Sequence, residues 1–193
     1  MFRSYVSSWN LREEQMMSTL VDLINHLRSA NGSAKVVVWA HNSHVGDARA
    51  TEMSWRGELS IGQLVRDAFP HQSRAIGFTT HGGSVTASPG WSLPAGRMQV
   101  LPALEGSVEK LFHQIGTPDF MLDLTASNAA VEILGKPRPQ RAIGVVCQPG
   151  SGCQSHYFEA CLANQFDAVL HHDLTRAVEP LEFVSSRKNV DAA

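Results

Sequence analysis

The segment 36–40, Val-Val-Val-Trp-Ala, constrains the fold more than any other part of the sequence because it is the longest fully apolar stretch. It is rich in β-branched residues and shows no polar alternation, which is typical of a strand buried on both faces of a parallel sheet. We therefore predict a central strand here. The stretch is far shorter than the roughly 20 residues that a membrane helix needs, so no membrane partner is expected.

Helical periodicity and short apolar runs alternate along the rest of the chain. The predicted helices are 11–28, 58–69, 107–115 and 128–134, and the further predicted strands are 75–79, 119–124, 142–146 and 168–172. Strands separated by helices predict an α/β fold with a mostly parallel sheet flanked by helices. In such sheets the binding crevice lies beyond the carboxyl ends of the strands.

The chain of 193 residues has the length of one domain. Residues 81–102 are rich in Gly, Ser and Pro, which predicts a long loop and a candidate lid. Residues 185–193 are expected to form a frayed, polar tail.

Charge and composition exclude several classes of function. The chain has 16 Lys plus Arg against 18 Asp plus Glu, without a basic run, so no nucleic-acid partner is expected. The first ten residues lack the apolar core of a secretory signal, which favours a cytoplasmic location. Cys147, Cys153 and Cys161 match neither a redox pair nor a zinc ribbon, and no cofactor is expected.

A polar cluster directly follows the predicted central strand. It begins with His41, Asn42, Ser43 and His44, and it places two imidazoles where the crevice should be. Histidine exchanges protons near neutral pH, and a carboxylate such as Asp47 is placed to fix its tautomer. We predict that His41 and His44 are catalytic. The predicted substrate-binding residues are Asn42, Asp47, Arg49 and Glu52, with Arg49 offering a rigid fork of donors to an anionic group.

Two other interpretations of these histidines remain open. One histidine can simply cap a turn through its ring, with Asn42 and Asp47 as further caps. Alternatively, His41 and His44 are two ligands of a catalytic zinc ion, completed by Asp47, His81 or His171, although the glutamate of an HExxH motif is missing. No Gly-x-Ser-x-Gly motif occurs, so the sequence offers no nucleophilic serine of the α/β-hydrolase kind.

Residues 36–53, Val-Val-Val-Trp-Ala-His-Asn-Ser-His-Val-Gly-Asp-Ala-Arg-Ala-Thr-Glu-Met, closely resemble the erythromycin esterase family. The likeness extends over nearly the whole chain. Further similar segments are 10–13, 61–64, 77–80, 154–158, 165–169 and 175–181, all in the order of that family.

This resemblance implies a hydrolase that activates water, without a covalent intermediate, to open an ester such as a macrolide lactone, and so to inactivate the antibiotic and give macrolide resistance. His41 and His44 match the paired active-site histidines. The water-activating histidine and a glutamate of the family lie in an N-terminal half that precedes the matched residues. We therefore expect a C-terminal part of such a fold, which needs a missing N-terminal half or a homo-oligomer.

Two alternatives to an ester hydrolase stay open. The first is a catalytically silent binding or assembly module that buries an exposed sheet edge against a partner. The second is a zinc-dependent hydrolase built on the histidines.

Overall fold

The computed structural model describes residues 2–147 and 156–179 and shows a mixed α/β structure. The helices are α1 (Phe2–Asn31), α2 (Asn42–Val45), α3 (Ile61–Ala68), α4 (Val108–Gln114), α5 (Ala129–Leu134) and α6 (Leu162–Gln165), with short 3-10 helices at Ala48–Ala50 and Ser54–Arg56. The strands are β1 (Ile76–Ala87), β2 (Gly96–Val100), β3 (Asp119–Asp123), β4 (Arg138–Arg141), β5 (Tyr157–Ala160) and β6 (Ala168–Thr175).

A four-stranded sheet in the order β2-β1-β6-β3 forms the centre of the fold. β1 and β6 run parallel, whereas β1 with β2, β3 with β6, and β4 with β5 in a separate two-stranded sheet are antiparallel. The predicted α/β class with flanking helices is confirmed, but the predicted mostly parallel pairing is wrong. β1 turns directly back into β2, and a hairpin of this kind can only pair antiparallel.

Residues 81–102 form a β-hairpin in place of the predicted long loop, since β1 extends to Ala87 and β2 begins at Gly96. The glycines have a packing role here. Gly83 has a φ of 113°, and a Cβ at this position would lie 2.1 Å from the carbonyl oxygen of Thr175 on β6. Residues 88–95 connect the two strands, and the candidate lid at 81–102 stays a prediction. The predicted tail 185–193 lies outside the described residues.

Residues 36–40 do not form the predicted central strand. Segment 33–41 has no regular structure, and the side chains of Val37 and Trp39 are 88% and 84% exposed. Among the described residues, Trp39 contacts one other ring, that of Phe78 on β1, with the centroids 5.5 Å apart. An apolar strand is buried only if neighbouring strands and helices cover both faces, and the described residues do not cover both faces of this segment.

The remaining predicted elements are largely confirmed, with local side-chain caps at their starts. Ser60, Ser107 and Asn128 accept backbone N–H groups at the beginnings of α3, α4 and α5. The predicted strand at 142–146 is wrong, because β4 ends at Arg141 and only Val146 makes an isolated bridge. The main core lies between the helices and the sheet and consists of Val108, Phe112, Leu124, Leu134, Leu162, Phe166 and Val169.

Among the described residues, no helix combines the length and the apolar character that a membrane span requires.

Candidate active site

His44 and Glu13 form a hydrogen-bonded pair in the described structure. Nδ1 of His44 lies 2.6 Å from Oε1 of Glu13, whose side chain is completely buried. Since a carboxylate only accepts, Nδ1 of His44 donates its N–H to Glu13, and in the neutral imidazole Nε2 then carries the lone pair. Nε2 has no hydrogen-bond partner within residues 2–147 and 156–179, and the imidazole is partly open to solvent. This is the arrangement of a histidine prepared to accept a proton.

Helix α1 brings Glu13 to this position by docking on the segment before α3. The second oxygen of Glu13, Oε2, accepts the N–H of Ile61 at 3.0 Å. Because Ile61 begins α3, the carboxylate also lies at a helix N-terminus, where negative charge is favoured. Trp9 donates to the carbonyl oxygen of Leu59, and Asn10 both donates to Gly57 and accepts from Leu59.

An aromatic contact orients the ring of His44. Trp9 stacks on the imidazole with 4.9 Å between centroids and 8° between planes. The guanidinium of Arg12 lies 4.7 Å from the Trp9 ring, in a cation–π contact on the same helix. His44 is thus held by hydrogen bonding through one nitrogen and by stacking on one face.

His41 has a different environment from His44. It is the N-cap of α2: the N–H of Ser43 donates to Nδ1 at 3.2 Å, and Nε2 donates to the carbonyl oxygen of Ile143 at 3.0 Å. Surrounding protein atoms lower the pKa of His41, against the opposing effect of the Ile143 carbonyl and with a smaller lowering from His44. Both ring nitrogens are occupied, so the geometry favours the capping interpretation for this residue.

Asp47 does not fix the tautomer of either histidine. Its two carboxylate oxygens accept from Arg49, at 2.9 Å from Nε and 2.7 Å from Nη2, and Arg66 lies 3.5 Å away. Burial alone would raise the pKa of Asp47, but the hydrogen bonds from Arg49 outweigh it and the pKa is lowered. Glu13 therefore takes the role expected of Asp47.

The guanidinium of Arg49 donates hydrogen bonds to carboxylates of the protein itself. Besides Asp47, its Nη1 bonds Asp67 at 2.8 Å. These carboxylates raise the pKa of Arg49, although burial opposes them. These bonds use three of the five N–H groups of the half-exposed guanidinium, and the expectation that Arg49 orients a substrate stays a prediction.

Asn42 and Glu52 also bind backbone groups of the protein. Asn42 donates to the carbonyl oxygen of Phe78 at 2.6 Å and accepts the Phe78 N–H at 3.1 Å, so it ties the start of α2 to the edge of β1. Glu52 pairs with Arg56 at 2.8 Å and accepts the N–H of Glu159 at the edge of β5. Asn42 thus anchors the short helix that bears His44, and the substrate-binding role of both residues stays a prediction.

The predicted zinc set is not assembled. In the described part of the chain, His41 and His44 belong to no group of three potential ligands, and Asp47 is engaged by arginines. His81 on β1 instead lies close to Asp173 on β6 and His113 on α4. His171 is buried on β6, where its Nδ1 bonds Thr79.

An apolar pocket of about 350 Å³ lies between α4, α5 and β3. Its wall includes Leu111, Phe120 and Ile133, and Thr117 is its single polar residue. No titratable side chain faces it, so it has no part in acid–base chemistry.

Glu13 is the site residue that the sequence prediction missed. It was part of the segment 10–13 that supported the resemblance, but no role was inferred for it. A signal was present: Glu13 lies on the same face of α1 as Trp9, Met16 and Leu20, at helical spacings of three, four and seven. A carboxylate within an otherwise apolar stripe must find a partner when the stripe is buried.

The chain is similar to known proteins in both sequence and structure. The sequence profile described as erythromycin esterase matches residues 1–175. A protein from Bacillus cereus has a similar structure, with a TM-score of 0.71 and 17% identity, covering 89% of this chain and 40% of that one. The structure of a succinoglycan biosynthesis protein has a TM-score of 0.69 and 22% identity, covering 89% of this chain and 40% of that one. The structure of an erythromycin esterase mutant in its open conformation is also similar, with a TM-score of 0.55 and 21% identity, covering 84% of this chain and 36% of that one. The chain thus spans about two fifths of the length of these structures.

Proposed function

Because the chain belongs to the erythromycin esterase family, we propose that it supplies the His44–Glu13 pair to an ester hydrolase that activates water directly. The observation behind this proposal is the 2.6 Å bond from Nδ1 of His44 to the buried Glu13, which leaves Nε2 of this partly exposed side chain without a hydrogen-bond partner among the described residues.

In the proposed mechanism, Nε2 of His44, in place of the N-terminal histidine that the resemblance implies, accepts a proton from a water molecule as the water oxygen attacks the ester carbonyl carbon. The carboxylate of Glu13 stabilises the resulting imidazolium and preserves the ring orientation, as carboxylates do in other histidine-based sites. The imidazolium then returns the proton to the departing alkoxide oxygen when the carbon–oxygen bond breaks. The products are a carboxylic acid and an alcohol, and no covalent enzyme intermediate forms.

The proposed substrates are carboxylic esters, including the macrolide lactones after which the family is named. His41 is a positioning residue in this proposal: it caps α2 and joins it to Ile143, so it fixes the short helix that bears His44. Asn42 fixes the same helix to β1.

A second candidate function is an assembly module that completes its fold with another polypeptide segment. The supporting observation is the exposed apolar segment 36–40 beside the edge of β1, where Ile76 and Phe78 are also exposed. β2 pairs with β1 only from Gly83 onward, so the first half of this edge has no neighbouring strand among the described residues. The occupant proposed here is the remaining portion of an erythromycin esterase fold, since the similar structures are more than twice as long as the matched region.

The test combines the chain with the complementary N-terminal portion of an erythromycin esterase. Erythromycin is incubated with the chain alone, with the complement alone and with both, and mass spectrometry follows the ring-opened product that has gained one water. We expect turnover with both parts that is abolished by His44→Ala. Turnover that survives His44→Ala would contradict the catalytic proposal. Binding of the two parts without turnover of any ester would favour the assembly module.

A further inference from the structure

A second group of polar residues lies on the face of the central sheet covered by α4. β1 contributes Thr79 and His81, and β6 contributes His171 and Asp173. Thr79 is paired with His171 in the parallel register, and the same register places His81 beside Asp173 two residues further along. His113 of α4 packs against His81 and Asp173. The group shares no residue with the His44–Glu13 pair.

His81, His113 and Asp173 converge closely. The rings of His81 and His113 stack with 3.7 Å between centroids and 4° between planes. Nδ1 of His113 lies 2.8 Å from Oδ1 of Asp173. One potential ligand atom from each of the three residues lies within 4.8 Å of the other two.

His171 provides an independent observation that points to a ligand at this place. Its side chain is fully buried, and Nδ1 is 2.9 Å from the hydroxyl oxygen of Thr79. Nε2 has no hydrogen-bond partner among the described residues and faces Oδ1 of Asp173 at 3.6 Å, beyond hydrogen-bonding distance. Buried polar atoms are normally paired, and an unpaired one beside a cluster of potential ligand atoms is consistent with an ion-binding role of that cluster.

We propose that His81, His113 and Asp173 form a binding site for a divalent first-row metal ion. Two imidazoles and one carboxylate are a donor set that suits Zn²⁺ and Fe²⁺ and leaves further coordination positions open.

Metal binding requires a rearrangement of the three ligands, including rotation of His81 or His113, because the in-plane lone pairs of two parallel, stacked imidazoles cannot meet at one ion. Ligand atoms around a zinc ion are each about 2.0–2.2 Å from it, so the present spacing must contract. The bond between His113 and Asp173 is exchanged for bonds to the ion, and the 3.4 Å contact from the N–H of Ala103 to Nδ1 of His81 is given up. In return, His171 can donate from Nε2 to Asp173 and orient the coordinating carboxylate, as neighbours of metal ligands commonly do.

Nearby residues offer a matched control for this site. His172 lies on the opposite face of β6 and pairs with Asp119 at 2.9 Å, so it repeats the histidine–carboxylate geometry without the second imidazole. His113 is the preferred residue for substitution, because its side chain is 39% exposed and its loss disturbs the core least. Asp173→Asn is the second variant, since it preserves shape while removing the charge.

The experiment strips the full chain with a chelator and titrates it with Zn²⁺, with Fe²⁺ under anaerobic conditions, and with Co²⁺ as a spectroscopic probe. We expect one equivalent of ion per chain, visible absorption from bound Co²⁺ and a higher melting temperature with metal. His113→Asn and Asp173→Asn should weaken binding by at least the roughly 10–100-fold that loss of even a neighbour of a ligand causes. His172→Asn should bind as the wild type does.

Several outcomes would overturn the proposal. These are the absence of saturable binding, equal binding by all three variants, and loss of binding in His172→Asn. A sulfur-to-Co²⁺ charge-transfer band would place the ion on a cysteine and would also exclude this site. Melting curves of the metal-free variants show whether each is folded, and Asp173→Asn decides the question if His113→Asn is not.

Discussion

Nδ1 of His44 and Oε1 of Glu13 lie 2.6 Å apart although 31 residues separate them in the chain. Helix α1 creates this contact by docking on the turn before α3, where Trp9, Asn10 and Glu13 bind successive backbone groups between Gly57 and Ile61. The same contacts that attach the helix therefore set the proton position on His44. The docking of α1 and the proposed chemistry therefore both depend on the carboxylate of Glu13.

Glu13→Gln tests this dependence. The amide N–H₂ of glutamine donates where the carboxylate accepted, so Nδ1 of His44 becomes the acceptor and the proton moves to Nε2. In the chain combined with its complementary N-terminal portion, we expect kcat to fall by about 10²–10⁴-fold, the range of general-base contributions. The control is Glu14→Gln, which changes an exposed neighbour on α1. Equal rates for the wild type and Glu13→Gln would remove Glu13 from the mechanism.

Gly62→Ala tests the close approach of α3 to the helix that bears His44. A Cβ at Gly62 would lie 2.1 Å from the carbonyl oxygen of Val45 and 2.7 Å from that of Gly46. Since both neighbours are backbone atoms, α2 must move, and we expect a loss of about 1–3 kcal/mol in the free energy of unfolding. Urea unfolding measures it. Gly96→Ala is the control, because no atom lies within 4 Å of a Cβ there; equal stability of both variants would refute the packing argument.

The sequence predicted the helices around the site better than the sheet. Periodicity located α1, α3, α4 and α5, and the N-caps of α3, α4 and α5, Ser60, Ser107 and Asn128, lie directly before them in the sequence. The all-apolar segment 36–40 was misread, since its burial depends on chain elements that the described residues do not place beside it. Glycines 82 and 83 suggested a loop, whereas Gly83 is required by the close approach of Thr175, a contact between distant parts of the chain.

The candidate site shows the same division between local and distant information. His41 and His44 were identified from their position in the sequence, but their different roles follow from partners far along the chain, Ile143 and Glu13. Asp47 was the nearest carboxylate and was therefore expected to orient a histidine. In three dimensions it pairs with Arg49, which is even closer in sequence and better matched in charge.

His41→Asn tests the acid sensitivity of the folded state. The pKa of His41 is lowered from its usual 6.5 by surrounding protein atoms, so the unfolded chain binds a proton at a higher pH than the folded chain does. Stability from this residue is thus fully present above about pH 6.5 and is lost as the pH falls toward the lowered value. Asparagine caps a helix but does not titrate. We expect the urea midpoint to fall less steeply between about pH 7.5 and about pH 5.5 in His41→Asn. Identical slopes would contradict this expectation.

Trp39→Ser tests whether the exposed apolar segment is a contact surface for the remainder of the fold. The side chain of Trp39 is 84% exposed, and among the described residues its ring contacts that of Phe78. The free energy of unfolding of the chain alone should therefore change little on substitution. Aromatic side chains at the centre of an interface commonly contribute 2 kcal/mol or more to binding, which corresponds to about a thirtyfold loss of affinity on truncation. We expect such a loss when the complementary N-terminal portion is titrated into the variant and binding is followed by calorimetry. Trp91→Ser is the matched control, because Trp91 is 80% exposed in the connection between β1 and β2, away from the open half of the β1 edge. If Trp39→Ser binds the complement as tightly as Trp91→Ser does, segment 36–40 is not the surface on which the fold is completed, and the assembly proposal fails even where ester hydrolysis is observed.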